Sequence, residues 1–288
     1  MTTYLPTIIL DPFEKYRPFP ENPKNLFEAH WHEIIGSVIF YFTIQQLSKP
    51  ISKYFFGKHY INLKPNTKIN FDVHITSMVQ CFISIGLLIP HFNNPHFQNR
   101  LNDPINSLLG STPFGTLLAS LTAGYFIWDL FICLKYYKLF GIGFLLHAIA
   151  ALYAMGCAFI PYCQPWGAAF LSFELSTPFV NLNWFASHLP VGTFSDKFII
   201  INGLLLMIVF FFVRIIWGIY AVIQMGNDML YSLDQINLFI PFSILLMNFG
   251  LNLLNIYWFY KMVKIAMKKA NGNKTKTVSS SKQTSKVD

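Results

Sequence analysis

The segment FIIINGLLLMIVFFFVRIIWGIYAVI (198–223) decides the fold class, because it is long and apolar enough to cross a lipid bilayer. A hydrocarbon core of about 30 Å is crossed by about 20 apolar residues in an α-helix. This segment exceeds that length, and Arg214 is its single charged residue. A helix is favoured over a strand because an open sheet edge in lipid leaves backbone groups unpaired. The sequence therefore predicts an all-α integral membrane protein.

The composition supports the same class. Hydrophobic residues make up 53% of the chain and charged residues 12%, whereas a soluble protein has about 25% charged residues. Much of the surface is therefore expected to face lipid rather than water. The net charge of +8 comes mostly from lysines between the apolar segments and in the tail, which argues against nucleic acid as a partner.

Six further segments resemble the first in length, and together they predict a polytopic transmembrane helical bundle of about seven spans. The predicted spans are 33–50, 73–90, 113–134, 142–160, 165–185, 198–223 and 237–263. Gln45 and Lys49 weaken the first span, while Glu174 and Pro178 interrupt the fifth. The first 30 residues contain no apolar core typical of a signal peptide.

Lysine distribution predicts the orientation, because cytosolic loops are enriched in Lys and Arg. Lysines concentrate in the 49–68 loop, near 135–138 and in the tail, which are all on one side if there are seven spans. The polar N-terminal segment 1–32 is then lumenal or outside, and 33–69 holds the first span and a cytosolic loop. The tail 266–288 is predicted to be cytosolic and disordered. Its lysines could bind anionic lipid heads or serve only as a topology anchor.

The cysteines and short motifs indicate neither a metal site nor a cofactor. Four cysteines lack the paired CxxC spacing of a metal site and are expected to be buried thiols. A bridge between Cys157 and Cys163 is the alternative. The chain has no Gly-rich phosphate loop, GxSxG or HExxH motif.

The ionisable residues within the spans are the candidate functional residues, since each is costly in hydrocarbon unless it pairs or faces a polar cavity. They are Asp129, His147, Glu174 and Arg214, with His74 at a helix entrance. Asp129 and His147 lie at matching depths on consecutive spans, about 8 Å from the same boundary. We expect one polar cavity open to the cytosolic leaflet, with Arg214 pairing Glu174 at its floor. Alternatively, these pairs only neutralise charge and fix helix register.

Four motifs resemble those of TLC-domain proteins over about 70–265. The segment FELSTPFVNLNWF (173–185) is similar to the signature helix of that family. Agreement extends to GYFIWDL (124–130), to Leu146-His147, and to Asn202-Gly203 followed by FFVRI (211–215). The resemblance favours the branch of small TLC-domain transmembrane proteins that are not established ceramide synthases.

The resemblance implies a TLC-type helical bundle at 70–265 around a central, lipid-accessible cavity, usually in the endoplasmic reticulum or a related endomembrane. The predicted cavity-lining residues are His74, Ser77, Gln80, Asp129, His147, Glu174, Ser176, Thr177, Asn181 and Arg214. Ceramide synthases carry two adjacent histidines where this chain has Leu146-His147. Gln80 likewise replaces a histidine that is frequent in the small branch.

Three functions remain open at this point. The first is a protein that binds or handles membrane lipids and contributes to lipid homeostasis. The alternative is an acyltransferase of the ceramide-synthase type, with acyl-CoA as a substrate and His147 as a base oriented by Asp129. A membrane cargo receptor or assembly partner is the third, although the C-terminus lacks a dilysine sorting signal.

Overall fold

The computed structural model describes residues 10–284, with side chains described as far as residue 268. The α-helices are α1 (Leu26–Ile61), α2 (Pro65–His91), α3 (Pro95–Gln98), α4 (Pro104–Leu109), α5 (Pro113–Lys135), α6 (Tyr137–Cys157), α7 (Gly167–Leu171), α8 (Thr177–His188), α9 (Asp196–Phe210), α10 (Gly218–Met229) and α11 (Phe239–Thr284). Short 3₁₀ turns cover Glu14–Tyr16, Gln164–Trp166 and Ser172–Ser176, and a π-helical turn (Phe211–Trp217) joins α9 to α10. The described residues contain no strand, so the all-α class is confirmed.

Five helical stretches are long and apolar enough to cross a membrane. They are α2, α5, α6, the continuous stretch Asp196–Met229, and α11 as far as Lys268. The prediction of a polytopic membrane protein is therefore confirmed. Apolar side chains exposed along these helices, such as Leu204 and Phe249, are suited to contact lipid tails.

Helix α1 runs parallel to α5 and beside it over the predicted first span. Ser37 Oγ donates to the Leu121 carbonyl at 2.7 Å, and one turn farther the Tyr41 ring lies 6.5 Å from that of Trp128. The Trp128 indole donates to Gln45 Oε1 at 3.0 Å. Because residue numbers rise together on both helices, α1 follows a spanning helix through much of its length.

The segment from Gln164 to His188 runs antiparallel to α2. Leu88 packs against Ala168 and Leu171 near one end, and the rings of Phe71 and Phe185 lie 5.1 Å apart near the other. The helix is broken where the sequence predicts, because Ser172–Ser176 is a 3₁₀ turn and Pro178 lies in the first turn of α8. This segment and α1 follow spanning helices, although a total of seven spans stays a prediction.

The loops gather at two ends of the bundle. Helices α6 and α11 are antiparallel, with the Phe144 and Trp258 rings 5.5 Å apart and Tyr153 and Ser243 hydroxyls 2.5 Å apart. A tight turn joins the end of α5 to the start of α6, and the start of α6 lies beside the C-terminal part of α11. Since α1 is parallel to α5, the C-terminal ends of α1, α5 and α11 lie at the same end of the bundle. We call this end the lysine end, because it holds Lys135, Lys138, Lys261–Lys268 and residues 49–68. The predicted 49–68 loop is mostly helical, since α1 runs to Ile61 and α2 begins at Pro65.

The opposite end, which we call the loop end, is closed by residues 92–112, 158–165 and 230–238. Arg100 Nε lies 3.2 Å from Asp228 Oδ2, and Ser107 donates to the same oxygen at 2.9 Å. These contacts tie the segment after α2 to the end of α10.

One expectation about the chain is resolved at this level. All four cysteines are free, so the alternative Cys157–Cys163 bridge is not formed. Helix α11 is described as far as Thr284, while 285–288 lie outside the described residues. The disorder expected of 266–288 stays a prediction.

Candidate functional site

A cavity of about 120 Å³ lies between α5, α6, residues 163–174, the π-helical turn, α10 and α11. Most of its wall is apolar, including Leu118, Phe126, Ala151, Phe170, Met225 and Leu251. Three acidic or basic side chains interrupt that wall, namely His147, Glu174 and Arg214. The sequence predicts all three as cavity residues, and they do share one cavity.

Arg214 is held by three hydroxyl or amide oxygens. Its guanidinium donates from Nε to Ser176 Oγ at 2.8 Å, from Nη2 to Thr177 Oγ1 at 3.3 Å, and from Nη1 to Asn255 Oδ1 at 3.5 Å. The side chain is buried, and the guanidinium lies 5.2 Å from the centre of the Phe210 ring. Its position on a π-helical turn is notable because such turns occur frequently at functional sites.

The predicted direct pair between Arg214 and Glu174 is wrong. No ion pair joins them among the described residues, and Arg214 instead contacts Ser176 and Thr177. Glu174 and Ser176 are two positions apart in the 3₁₀ turn Ser172–Ser176, and residues at i and i+2 of a helical turn do not share a face, so the position that contacts Arg214 is Ser176 rather than Glu174.

His147 and Asp129 do not meet either. The His147 ring lies edge-on to Phe126 and to Trp258, with centroids 5.8 Å away in both cases. Asp129 Oδ1 instead has the thiol of Cys133, one turn along α5, at 3.8 Å. Matching depth on two helices does not place two side chains on facing sides, which is why the expectation fails.

The predicted residues of α2 form separate networks outside the cavity. His74 Nδ1 lies 2.7 Å from Asn181 Oδ1, and Asn181 Nδ2 donates to Ser77 Oγ at 3.2 Å. Gln80 accepts from the Tyr41 hydroxyl and donates to Ser84 Oγ at 2.7 Å. The single cavity expected from the sequence is therefore divided into one cavity and two hydrogen-bonded clusters.

The cavity also lies in the other half of the bundle from the one predicted. Its walls include Gly115 at the start of α5 and Gln164 near the loop end, whereas the sequence predicts an opening toward the lysine side. Large aromatic side chains fill the space around Tyr41 and Trp128 in the half nearer the lysine end, since both residues are at most 1% exposed. Glu174 lines the cavity from the 3₁₀ turn Ser172–Ser176.

Sequence reasoning missed several polar residues of the cavity. Gln164 lines it and is fixed by Thr112, whose N–H donates to Gln164 Oε1 at 2.8 Å, and by Thr116 Oγ1, which accepts at 2.9 Å. Asn248 of α11 lines the wall of the cavity. Asn255 lies about two turns farther along the same helix and accepts a hydrogen bond from Arg214. The signal available was the presence of asparagines within an apolar span, a placement that is costly unless they are bonded.

A second cavity of about 620 Å³ opens at the lysine end between α1, α2 and α5. Lys49, Lys68 and Lys135 surround it, together with Asp72. The Asp72 carboxylate accepts hydrogen bonds from Ser48 and Tyr60 at 2.7 and 2.9 Å. None of the three lysines forms an ion pair with a carboxylate among the described residues.

The fold and the cavity define a class, an integral membrane helical bundle that contains a mostly apolar cavity lined by a buried arginine. A family model described as the TLC domain matches residues 70–264. The chain therefore belongs to the TLC-domain family.

Relatives from fungi and animals are similar over most of their length. Topoisomerase I damage affected protein 4 of Saccharomyces cerevisiae is 40% identical, covering 91% of this chain and 93% of the relative. A TLC domain-containing protein of Schizosaccharomyces pombe is 35% identical, covering 86% of this chain and 82% of the relative. TLC domain-containing protein 4 of Homo sapiens is 29% identical, covering 87% and 95% respectively.

Proposed function

We propose that the protein binds a membrane lipid in the cavity and thereby contributes to lipid homeostasis. The observation that carries the proposal is the combination of an apolar wall with His147, Glu174 and Arg214 in one cavity. Cavities of this kind bind ligands through apolar contact and use a few polar groups to fix orientation. An amphipathic ligand, with an acyl chain and a polar head, matches both parts.

Arg214 is the group best placed to hold the polar head. A guanidinium has five N–H donors, and three of its hydrogen bonds go to Ser176, Thr177 and Asn255. Donors therefore remain for an oxygen of a ligand, and guanidinium groups favour carboxylate and phosphate oxygens. The acyl chain would lie along Leu118, Phe170 and the other apolar residues of the wall.

The orientation and compartment are part of the proposal. The lysine end faces the cytosol, with the C-terminus on that side, because Lys-rich short loops are retained there. An endoplasmic reticulum or related endomembrane location is supported by family membership. The lysine-lined second cavity then faces the leaflet in which anionic head groups are abundant, and we propose that Lys49, Lys68 and Lys135 bind them.

Acyl transfer is a second candidate function, favoured by the presence of His147 in the cavity. Its support is thinner, because Asp129 makes no hydrogen bond with His147 among the described residues. Leu146, beside it, is 54% exposed on the outer face of α6 and cannot take a proton. An acyl-CoA assay of the wild type beside His147→Ala decides between the functions, since robust His147-dependent acylation of a sphingoid base would favour the enzyme.

Lipid analysis of the purified protein tests the binding proposal. We expect a defined lipid to co-purify with the wild type, and Ala151→Phe to reduce its amount several-fold because Ala151 lines the cavity. Ile149→Phe is the matched control, since Ile149 is 40% exposed on the same helix. Equal lipid content in both variants and the wild type would contradict binding in this cavity.

A further inference from the structure

The N-terminal polar segment folds back over the first turns of α1. The Trp31 indole donates to the Phe19 carbonyl at 2.8 Å, and Arg17 Nη1 donates to the Ala29 carbonyl at 3.1 Å. This arrangement brings Asp11, far away in sequence, onto the face of α1 that holds His30 and Glu33. The three side chains are almost completely enclosed, with 0% to 6% of each exposed.

The three residues converge on one point. His30 Nδ1 lies 2.9 Å from Glu33 Oε2 and 3.3 Å from Asp11 Oδ2, and one ligand atom from each residue lies within 4.8 Å of the others. Tetrahedral Zn²⁺ with bonds of about 2.0–2.1 Å holds its nitrogen and oxygen ligands about 3.3 Å apart. Small side-chain adjustments would therefore place all three atoms around one ion.

The hydrogen bonding of this cluster is incomplete without a cation. Asp11 Oδ2 and Glu33 Oε1 are buried and have no hydrogen-bond partner in the described part of the chain. His30 Nδ1 carries at most one proton, so it cannot donate to both carboxylates. Burying carboxylate groups without partners is costly, and metal coordination is one of the ways in which proteins offset that cost.

His32 lies beside the cluster but is not one of its ligands. Its Nε2 lies 3.7 Å from Glu33 Oε1 and 3.2 Å from the Phe13 carbonyl oxygen, to which a neutral imidazole donates. Imidazole and carboxylate ligands together suit zinc, and a water molecule can complete the tetrahedron.

We propose that Asp11, His30 and Glu33 form a binding site for a zinc ion, which fastens the N-terminal segment to α1. Two carboxylates neutralise the ion, so the buried site carries no net charge with a neutral imidazole. The segment is thereby held over the first turns of α1, at the end of the bundle where Phe27 of α1 contacts Phe159 with ring centroids 6.1 Å apart. The site is separate from the cavity and does not rest on the lipid proposal.

The test is zinc binding by the full-length protein, purified in detergent with an affinity tag that lacks histidine. After chelator treatment and loading with Zn²⁺, elemental analysis of the gel-filtered protein is expected to give about one zinc ion per chain. His30→Gln and Glu33→Gln should each lower that ratio at least five-fold. Glu14→Gln, in the exposed part of the same segment, should leave it unchanged.

A second measurement on the wild type keeps the test decisive if a variant fails to accumulate. Loading with Co²⁺ in place of Zn²⁺ should give the visible absorption of a tetrahedral cobalt site, and adding Zn²⁺ should abolish it. Wild-type protein that retains less than about a tenth of an equivalent of zinc and shows no such absorption would overturn the proposal. Full zinc retention by Glu33→Gln would overturn it as well.

Discussion

At the scale of single residues, Arg214 has the most consequential position in the bundle. It is a buried cation in a spanning helix, where an Arg that is not compensated costs at least about 2.5 kcal/mol. The bonds to Ser176, Thr177 and Asn255 link three separate helical stretches through one side chain. The same side chain therefore stabilises the helix packing and orients the polar part of the cavity.

Replacement of Arg214 separates these two contributions. Arg214→Met removes the charged donor of the 2.8 Å bond to Ser176, and hydrogen bonds to charged groups contribute about 1.5–3 kcal/mol. We expect a decrease of that size in the free energy of unfolding in detergent, together with loss of co-purified lipid. Arg214→Lys keeps the charge but loses the planar guanidinium. Compared with Arg214→Met, it should restore part of the free energy of unfolding and little of the co-purified lipid. Unchanged lipid content in Arg214→Met would show that the ligand head lies elsewhere.

At the scale of helices, α1 and α5 approach closely at Gly124. A Cβ atom at this position would clash with Ser37 and would lie 2.9 Å from the Ile34 carbonyl. The absence of a side chain therefore allows α1 to lie along α5, which in turn places Tyr41 and Trp128 in the half of the bundle that they fill.

A substitution at Gly124 should consequently separate two helices. Gly124→Leu is expected to destabilise the protein by about 1–3 kcal/mol through overpacking, measured as a lower melting temperature in detergent. Gly203→Leu serves as the control, because no neighbouring atom lies within 4 Å of a Cβ atom there. A similar effect of both substitutions would attribute the loss to helix propensity or solubility rather than to the contact between α1 and α5.

The helices themselves could be predicted, whereas their facing sides could not. Apolar length identifies spans such as 198–223 directly, and Pro178 with its polar neighbours marks the broken segment. The rise per residue also gives depth, which groups Glu174 with Arg214 and His147 with Asp129, whereas in the structure His147 lines the same cavity as Glu174 and Arg214. Rotation about the helix axis depends on tertiary packing and on local windings such as the 3₁₀ and π-helical turns, so direct partners were predicted wrongly. Asp11 gave no signal because only chain folding brings it to His30.

At the scale of the whole molecule, charge is distributed unevenly between the ends of the bundle. Residues 49–68 and the C-terminal part of α11 lie at the same end of the bundle. Which side of the membrane this end faces stays a prediction that rests on the enrichment of Lys and Arg in cytosolic loops.

Glycosylation acceptors inserted into the loops provide the test of orientation. An acceptor within 92–112, between α2 and α5, should be modified, while acceptors at 62–64, between α1 and α2, and after residue 268 should remain unmodified. The natural sequon Asn273-Lys274-Thr275 should likewise carry no glycan. Modification of only one of the two lysine-end acceptors would contradict the shared side, and modification of both would reverse the orientation.

Mapping the contacts of a photoactivatable lipid tests the central claim most directly. Membranes carrying the protein are loaded with a lipid whose acyl chain bears a photoactivatable group, and the labelled peptides are identified after irradiation. Labelling is expected at 147–174 and around Arg214, and Ala151→Phe should remove it while Ile149→Phe should not. Labelling confined to lipid-facing positions such as Leu204 and Phe249, and equal in both variants, would contradict a lipid bound inside the bundle.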